Sequence, residues 1–351
     1  MKIWGVTGTN GKTTTTWIAA RFMQGAYITT VEANTLKRSF YTGYTTPPLA
    51  QLKAMFAEMA ENGAKNCVME VSSHAIHQRR TGDTGFAGGA FLNLSEDHLD
   101  YHKTMEEYFR VKLAFAERLQ PGSPYVVCLD GENCERMYAA VKKLPLNVIP
   151  VTRENPAYDL SCLQLAGDYN RSNVLVAAAL AEAAGVEQSE IQRLIPTLRP
   201  RWGRLEEVAC ASKARVFVDF AHTPDGLKKV LAAARGFCPG RLWVVFGAGG
   251  DRDPLKRPLM GQVCADLADE VVVTSDNPRS EEPLAIIGDI LKGTGGRTVQ
   301  VEPDRRLAIE HALKSAQAGD VVIVAGKGHE TTQEIKGVKY PFDDRAIVAM
   351  N

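Results

Sequence analysis

The sequence lacks the features that mark several classes of protein. Among 351 residues, 41 are basic and 41 acidic, so no surplus of charge points to nucleic acid or to an acidic membrane as a partner. Its apolar runs, such as RLWVVFGAG, are far shorter than the ~20 residues of a membrane-spanning helix. A glycine-rich loop interrupts the first apolar run, so the layout of a signal peptide is missing as well.

Closely spaced cysteine pairs are also missing. The seven cysteines contain no C-x-x-C pair, which argues against a zinc ribbon. Scattered thiols of this kind are typical of reduced, mostly buried cysteines, so we expect a cytoplasmic protein. They are Cys67, Cys128, Cys134, Cys162, Cys210, Cys238 and Cys264.

The most informative stretch that is present is GVTGTNGKTTTTW, residues 5–17. It lies between a short apolar run and a helix-compatible stretch, and the backbone N–H groups of such a loop favour a phosphate anion. The pattern predicts that Lys12 reaches the outer phosphates of a nucleotide and that the Thr13 hydroxyl ligates Mg²⁺. Val6 stands where the common P-loop pattern has glycine, with Gly5 one position earlier, so the loop is a variant. The alternative is a glycine-rich turn that only joins a strand to a helix.

Strand-like and amphipathic helical runs alternate along the chain, which is typical of a parallel sheet covered by helices. The length suits two domains, and a second series of strands begins after LRPRWGRLEEV. We therefore expect an α/β protein. Residues 1–199 would form a P-loop-containing, doubly wound parallel sheet that binds ATP, and residues 200–351 a smaller Rossmann-like α/β C-terminal domain.

Two polar clusters follow predicted strands of the first domain. VMEVSSH carries Glu70, Ser72, Ser73 and His74, and NLSEDHLDYH carries Glu96, Asp97, His98, Asp100 and His102. Strand ends of a doubly wound sheet face the same crevice as the P-loop, so these oxygen and imidazole groups can converge on nucleotide-bound Mg²⁺. A single acidic residue at a strand end is usually an ordinary loop residue, but two clusters after a P-loop favour a metal site.

The chain carries a series of motifs that resembles the Mur ligases in order and spacing. They are GTNGKTTT, YTTPP, MEVSSHAIHQRR, NLSEDHLDYH, LAGDYNRSN, GRLEEV, DFAHTPDGL, GGDRDPLKRPLMG, DNPRSEEP and AGKGHE. The series covers essentially the whole chain and is most similar to the MurE type, which adds the third amino acid to the UDP-N-acetylmuramoyl peptide precursor of peptidoglycan. Members of the family normally carry an N-terminal domain for the uridine diphosphate sugar, whereas here the P-loop comes at once.

The resemblance implies an ATP-dependent ligase with two Mg²⁺ ions. A carboxylate attacks the γ-phosphate of ATP to give an acyl phosphate, and an amine then displaces phosphate, so catalysis is mostly positioning and charge neutralisation. The implied catalytic residues are Lys12, Glu70, His98 and Lys112, and the implied metal ligands are Thr13, Glu70, His98 and, if it is carbamylated, Lys112. The implied ATP-binding residues are Gly8, Thr9, Asn10, Gly11, Lys12, Thr13, Thr14, Asn170, Arg204, Asp219 and His222.

Two of these positions have plainer interpretations. Without the resemblance, Lys112 would be a solvated helix residue, because buried lysine is uncommon. A carbamate would give it two oxygens and a negative charge, which an ammonium cannot offer to Mg²⁺. Asn170 lies near a predicted helix start, so a helix cap is as good an interpretation as an adenine contact.

The resemblance also implies the substrates. The muropeptide acceptor would be held by Thr45, Thr46, Ser72, Gln78 and Arg80, although polar groups at such places are also ordinary loop chemistry. The amino acid would be held by Arg252, Asp276, Asn277, Arg279, Gly326 and Glu330. The form DNPR favours meso-diaminopimelate, because the planar fork of Arg279 can bind the second carboxylate of that amino acid. The plainer alternatives are a surface ion pair for Arg279 and a simple turn for GAGGDRD.

Several alternatives remain open at this point. The missing domain is explained by a truncated sequence, by a short enzyme whose acceptor is not UDP-linked, or by a partner protein that supplies the domain. We favour a natural short form, because MKIWG places methionine directly before a plausible strand. A ligase like folylpolyglutamate synthetase and a non-catalytic nucleotide-binding subunit are the competing functions, and the presence of every implied phosphate and metal residue favours catalysis.

Overall fold

The structure is a computed structural model that describes residues 1–131 and 133–351. The chain divides into two compact units, Met1–Leu198 and Arg199–Asn351. Among the helices of the described residues, none combines the length and the apolar character needed to cross a membrane.

The first unit contains an eight-stranded sheet with helices between its strands. The strands are β1 (Lys2–Thr7), β2 (Ala26–Ile28), β3 (Ala33–Asn34), β4 (Ser39–Phe40), β5 (Asn66–Glu70), β6 (Phe86–Phe91), β7 (Pro124–Cys128) and β8 (Asn147–Val151). The helices are α1 (Lys12–Phe22), α2 (Leu49–Glu61), α3 (Ser73–His77), α4 (Leu99–His102), α5 (Met105–Glu117), α6 (Cys134–Val141), α7 (Asp168–Ala183) and α8 (Gln188–Leu194), and a 3₁₀ turn spans Ile195–Thr197.

The strand order of this sheet is β4-β3-β2-β5-β1-β6-β7-β8. From β2 to β8 all neighbours are parallel, whereas β3 and β4 add an antiparallel edge. In this order, β2 and β5 lie towards one edge from β1, whereas β6, β7 and β8 lie towards the opposite edge. The strand order therefore reverses at β1, and such a switch point is where α/β proteins bind ligands. The predicted α/β fold is therefore confirmed, with an antiparallel edge that the sequence patterns did not predict.

The second unit contains a six-stranded sheet of order β13-β12-β11-β14-β10-β9 and a separate hairpin. Its strands are β9 (Glu206–Glu207), β10 (Arg215–Asp219), β11 (Leu242–Phe246), β12 (Glu270–Val273), β13 (Gln300–Val301), β14 (Val321–Ala325), β15 (Thr332–Ile335) and β16 (Val338–Pro341). Its helices are α9 (Pro224–Arg235), α10 (Lys256–Leu267), α11 (Pro283–Leu291), α12 (Arg305–Ser315) and α13 (Asp344–Ala349). Only β9 pairs in antiparallel fashion within the larger sheet.

Burial and capping explain these elements locally. Every residue of β14 is fully buried, as expected for a central parallel strand covered on both faces. Helix α5 begins where the Thr104 hydroxyl accepts a hydrogen bond from the N–H of Glu107 at 3.1 Å. Helix α9 begins in the same way at Thr223, with Pro224 at its first position.

Candidate active site

Three neighbouring strands bring the candidate residues of the first unit to one sheet edge. Val6 pairs with Glu70 of β5, and Thr7 pairs with Phe91 of β6. The P-loop after β1, the residues after Glu70 and the loop after β6 therefore emerge side by side. This is the arrangement that the sequence patterns predicted for the polar clusters.

The P-loop runs from Gly8 to the start of α1 at Lys12. Gly11 precedes the helix with φ +87°, and a Cβ there would lie 2.4 Å from Oδ1 of Asn173, so both the backbone and the space require glycine. The Lys12 ammonium donates to the carbonyl oxygens of Gly8 at 3.0 Å and Thr9 at 2.8 Å, so it lies over the loop. Thr13 is buried and Thr14 is half-buried in the first turn of α1.

Gly5 has a different role from the glycines of the loop. It lies inside β1, and a Cβ there would lie 2.3 Å from Cζ of Phe115. Gly5 therefore makes room for an aromatic ring of the core, and it lies in the strand rather than in the loop.

The loop after β6 holds the P-loop through hydrogen bonds. The N–H of Asn10 donates to Oδ1 of Asn93 at 2.9 Å, and Nδ2 of Asn93 donates back to the Asn10 carbonyl at 3.1 Å. The N–H of Thr9 donates to the Asn93 carbonyl at 3.0 Å, and the N–H of Ser95 donates to the Thr9 hydroxyl at 3.2 Å. Sequence reasoning missed Asn93 and Ser95, although both lie in the motif NLSEDHLDYH.

Glu70 is joined to candidate acceptor residues by a short hydrogen-bond chain. Its buried carboxylate accepts from the N–H of Thr30 at 2.8 Å and from the Thr30 hydroxyl at 3.1 Å. The Thr30 hydroxyl also lies 3.0 Å from the Thr45 hydroxyl, which can donate to it. The Thr46 hydroxyl donates to the Glu70 carbonyl at 2.8 Å and accepts from the N–H of Ser72 at 3.0 Å.

Arg80 and Gln78 continue the same group of residues. Arg80 donates to the Thr46 carbonyl at 3.4 Å and to Oε1 of Gln78 at 2.8 Å. Gln78 in turn donates to the Tyr101 hydroxyl at 3.1 Å. All five candidate acceptor residues are thus brought together, and Thr30 and Tyr101 are the members that the sequence patterns did not indicate.

His98 lies in a cluster of aromatic rings after β6. It adopts a left-handed conformation with φ 57°, and its ring centre lies 4.9 Å from that of His74. Burial, with help from His74 and the Lys12 cation, lowers the pKa of His98 to about 3 even though Asp97 opposes the shift. His98 is therefore neutral at pH 7 and has a ring nitrogen available as a ligand or hydrogen-bond acceptor.

Lys112 is buried in α5, with 1% of its surface exposed, so its interpretation as a solvated helix residue is wrong. Its ammonium lies 4.6 Å from the centre of the Tyr108 ring and has no hydrogen-bond or ion-pair partner among the described residues. Burial and the Lys12 cation lower the pKa of Lys112 well below its usual range, against the opposing charge of Asp97. The neutral amine is the form that can react with carbon dioxide.

The donor set at this edge fits magnesium. The Thr13 hydroxyl, the Glu70 carboxylate and a carbamate on Lys112 are all hard oxygen donors of the kind that Mg²⁺ prefers. In residues 1–131 and 133–351 no group of three or more His, Cys, Asp or Glu side chains is arranged to hold a metal ion. A site here would therefore depend on Thr13 and on modification of Lys112, neither of which belongs to those residue types.

Asn170 lies in the first turn of α7 and is buried. The residue that precedes the helix is Gly167, and Nδ2 of Asn170 donates to the Ala166 carbonyl at 2.8 Å. Oδ1 of Asn170 accepts from Asn173, the residue that also lies against Gly11. The interpretation of Asn170 as a helix cap is therefore wrong.

In the second unit, Arg204, Asp219 and His222 lie around Phe220. The Arg204 guanidinium is 4.5 Å from the centre of the Phe220 ring, and Nδ1 of His222 is 2.7 Å from the Phe220 carbonyl oxygen. The Asp219 carboxylate accepts from the N–H groups of Leu205 at 2.6 Å and Ala221 at 2.7 Å. Burial raises the pKa of Asp219, although the Arg204 cation and these hydrogen bonds oppose the shift.

The candidate amino-acid residues follow the ends of β11, β12 and β14. Asn277 donates to Oε2 of Glu330 at 2.9 Å, and the fully buried Lys327 donates to Asn277 at 3.0 Å and to the same Glu330 oxygen at 3.0 Å. Asp276 lies beside Gly326, where a Cβ would be 2.5 Å from Oδ2 of Asp276. Lys327 was not indicated by sequence reasoning, and its ammonium group partly neutralises the Glu330 carboxylate.

Arg279 is held by the hairpin of β15 and β16. Its backbone has φ 52°, its N–H donates to the Glu334 carbonyl at 3.0 Å, and its carbonyl accepts from Lys336 at 2.6 Å. Its side chain donates to the Gly250 carbonyl at 2.6 Å. Nη1 of Arg279 and the exposed side chain of Arg252 both lie beside Gly249, so the two arginines flank one glycine loop.

Comparison with known proteins shows that the chain belongs to the Mur ligase family. Residues 6–162 match the Mur ligase middle domain, and residues 203–328 match the domain described as Mur ligase, glutamate ligase domain. The resemblance found in the motifs is thereby confirmed.

Individual relatives are more specific. A UDP-N-acetylmuramoyl-L-alanyl-D-glutamate–2,6-diaminopimelate ligase from Cytophaga hutchinsonii is 39% identical over 99% of this chain and 77% of its own length. A solved structure of a ligase with that name is 34% identical, with TM-score 0.61 over 99% of this chain and 77% of its own. Folylpolyglutamate synthase from Mycobacterium tuberculosis, 17% identical, has TM-score 0.71 over 93% of this chain and 87% of its own, which shows the shared fold alone.

Proposed function

We propose that this protein is an ATP-dependent ligase that joins a γ-glutamyl carboxylate of a muropeptide to meso-diaminopimelate through an acyl phosphate. The observation that carries the proposal is the hydrogen-bond chain from Glu70 to Thr45, Thr46 and Ser72, at the sheet edge where the P-loop also emerges. It puts candidate acceptor residues beside a phosphate-binding loop, as phosphoryl transfer to an acceptor requires. The diaminopimelate ligases that the chain resembles support the choice of substrates.

In this proposal the first unit binds phosphate and acceptor. The loop N–H groups and the Lys12 cation would stabilise charge on the transferred phosphoryl group, and Arg80 and Ser72 would orient the acceptor. Thr13, Glu70, His98 and a carbamylated Lys112 would hold two Mg²⁺ ions, which neutralise phosphate charge when bound. The burial of Lys112 under the Tyr108 ring and its lowered pKa favour the neutral amine and so support the carbamate.

The second unit would supply the amino acid. Arg279 and Arg252 would bind the far carboxylate of diaminopimelate, and the Glu330 oxygen that is not bonded to Lys327 would accept from the far ammonium. Asn170, Arg204, Asp219 and His222 are the proposed nucleotide contacts outside the P-loop. The cytoplasm is the proposed location, since free, scattered cysteines suit a reducing compartment.

The muropeptide acceptor is either UDP-linked or free of UDP, and the ligase needs no second protein in either case. The Cytophaga relative carries its additional length in one chain, so a separate protein that supplies a domain has no support. The test is phosphate release with Mg-ATP, meso-diaminopimelate or lysine, and the muramoyl dipeptide with or without UDP. Phosphate release that requires diaminopimelate supports the proposal, and the acceptor that gives the faster release shows whether the substrate is UDP-linked. No phosphate release with either acceptor contradicts the proposal.

A further inference from the structure

A fully buried ion pair joins the beginnings of two helices in the second unit. Arg305 is the first residue of α12 and Asp344 the first of α13, and neither side chain has any exposed surface. Nε of Arg305 donates to Oδ1 of Asp344 at 2.9 Å, and Nη2 donates to Oδ2 at 2.7 Å. The pair uses the bidentate geometry that fixes a guanidinium most firmly.

The same guanidinium also donates to two main-chain carbonyls. Nη2 reaches the Ala325 carbonyl at 2.9 Å, and Nη1 reaches the Ser275 carbonyl at 3.3 Å. Ala325 immediately precedes Gly326, and Ser275 immediately precedes Asp276. Arg305 therefore bonds to the chain one residue before each of two candidate amino-acid loops.

The sheet itself does not join these two loops. In the strand order, β11 lies between β12 and β14, so no ladder hydrogen bond connects β12, which ends two residues before Ser275, with β14, which ends at Ala325. The Arg305 guanidinium spans that gap. Without it, the spacing of the loops would depend on β11 and on the bonds that Asn277 makes to Glu330 and Lys327.

The two loops are closely packed where Asp276 lies beside Gly326. Oδ2 of Asp276 is buried and accepts no hydrogen bond among the described residues, and a Cβ at Gly326 would lie 2.5 Å from it. Burial would raise the pKa of Asp276, but the cations of Lys327 and Arg305 outweigh burial and lower it. A small shift of one loop would therefore change both the space and the charge around this carboxylate.

We propose that Arg305, held by Asp344, is a positioning residue for the amino-acid site: it sets Asp276 and Arg279 against Gly326 and Glu330. This inference rests on the proposed function, because it assumes that these loops bind diaminopimelate. It makes the buried pair responsible for affinity for the amino acid rather than for the fold alone.

The experiment separates positioning from stability by exchanging both partners. Removing one partner would leave a buried charge without compensation, whereas apolar replacement of a whole buried pair is often neutral or stabilising. The test variant is Arg305→Met with Asp344→Leu, which fills the space but removes the donors to Ser275 and Ala325. The matched control is Arg215→Met with Glu207→Leu, which removes another bidentate pair, with both bonds at 2.8 Å, at the start of β10.

We expect the test variant to raise the KM for diaminopimelate about 10- to 100-fold, the range that a misplacement of about 1 Å can cause. The KM for ATP and the unfolding temperature should stay near those of the wild type, and the control pair should change neither KM. Arg305→Lys keeps the positive charge but loses the planar guanidinium, so it should give an intermediate KM for diaminopimelate. If the double variant does not fold, this single variant provides the test.

A folded double variant, or a folded Arg305→Lys, with the wild-type KM for diaminopimelate would overturn the inference. A parallel rise in both KM values together with a lower unfolding temperature would also overturn it, because that result indicates a structural role. Absence of diaminopimelate-dependent turnover in the wild type would instead contradict the proposed function itself.

Discussion

Tyr108 covers the ammonium of Lys112 with its ring, at 4.6 Å from the ring centre. The hydroxyl of the same tyrosine lies 3.1 Å from the Thr9 hydroxyl in the P-loop, and its ring stacks on His102. One buried side chain thus connects the candidate carbamate position with the phosphate loop.

Lys112→Arg should abolish the modification and reduce turnover. Arginine keeps a cation in place but cannot form the carbamate, so the loss of a charged ligand should cost at least about tenfold in kcat. Carbon-13 NMR of protein equilibrated with labelled bicarbonate measures the modification directly. Tyr108→Phe is the matched variant: it keeps the ring over Lys112 and removes only the hydroxyl that bonds to Thr9 and Ser73, so the carbamate signal should persist. A fully active Lys112→Arg would contradict the role of Lys112.

Lys12→Ala should abolish ATP turnover and leave the fold intact. The Lys12 ammonium bonds to the loop carbonyls of Gly8 and Thr9, and the side chain is only half-buried, so its removal should take away phosphate binding with little loss of packing. Phosphate release and the unfolding temperature measure the two effects. Lys53→Ala, at an exposed lysine of α2, is the control and should change neither. Turnover retained by Lys12→Ala would show that the loop does not act as a P-loop.

Gly5→Ala should destabilise the first unit by about 1–3 kcal/mol, the usual cost of overpacking a core. The added methyl group would lie 2.3 Å from Cζ of Phe115. Phe115→Leu should relieve part of this cost, so the double variant should lose less than the sum of the single variants. Denaturant unfolding measures the cycle, with Gly85→Ala as a control at a glycine that has open space around it. Strict additivity would exclude the contact as the cause.

The strands that the sequence predicted well are those whose apolar runs are buried on both faces. Residues Val321–Ala325 are all fully buried, so composition alone marks a central strand. The antiparallel edge was missed because β3 and β4 have two residues each, too few for any periodicity. The hairpin of β15 and β16 did carry a signal: Lys336 and Gly337 form a two-residue turn in which both residues have positive φ.

The positions of candidate site residues were predictable where they belong to a known loop motif. They were not predictable where they depend on tertiary packing. Lys12 and Gly11 follow from the P-loop pattern. The burial of Lys112 and the bonds from Arg305 to two strand ends depend on residues distant in sequence, which no local pattern reports. The packing of Gly5 against Phe115 was likewise not predictable, because spacing from a motif cannot show that an aromatic ring occupies the space beside a glycine.

His102 should make the protein less stable as the pH falls. Its ring is fully buried without hydrogen bonds among the described residues, and burial lowers its pKa to about 4. Since an unfolded histidine has a pKa of about 6.5, the unfolded chain binds the extra proton first. This contribution to stability is complete above about pH 6.5 and is lost as the pH falls towards 4.

His102→Phe should remove that part of the pH dependence, because phenylalanine keeps the stacking on Tyr108 and cannot be protonated. The free energy of unfolding at pH 7.5 and pH 5 measures the slope for each variant. His311→Phe, at an exposed histidine of α12, is the control and should keep the wild-type slope. An unchanged slope in His102→Phe would mean that other groups, such as His98, account for the acid sensitivity.

Arg279→Asn should reduce the preference for diaminopimelate over lysine. Asparagine tolerates the left-handed backbone at φ 52°, so this change removes the guanidinium without adding strain, which alanine would not guarantee. A charge-assisted hydrogen bond contributes about 1.5–3 kcal/mol, so the ratio of kcat/KM for the two amino acids should fall about 10- to 100-fold. Lysine lacks the far carboxylate, so its own kcat/KM should change little. Arg306→Ala, at an exposed arginine of α12, should leave the ratio unchanged. Equal losses for both amino acids would assign Arg279 to holding Gly250 and the hairpin rather than to binding the substrate.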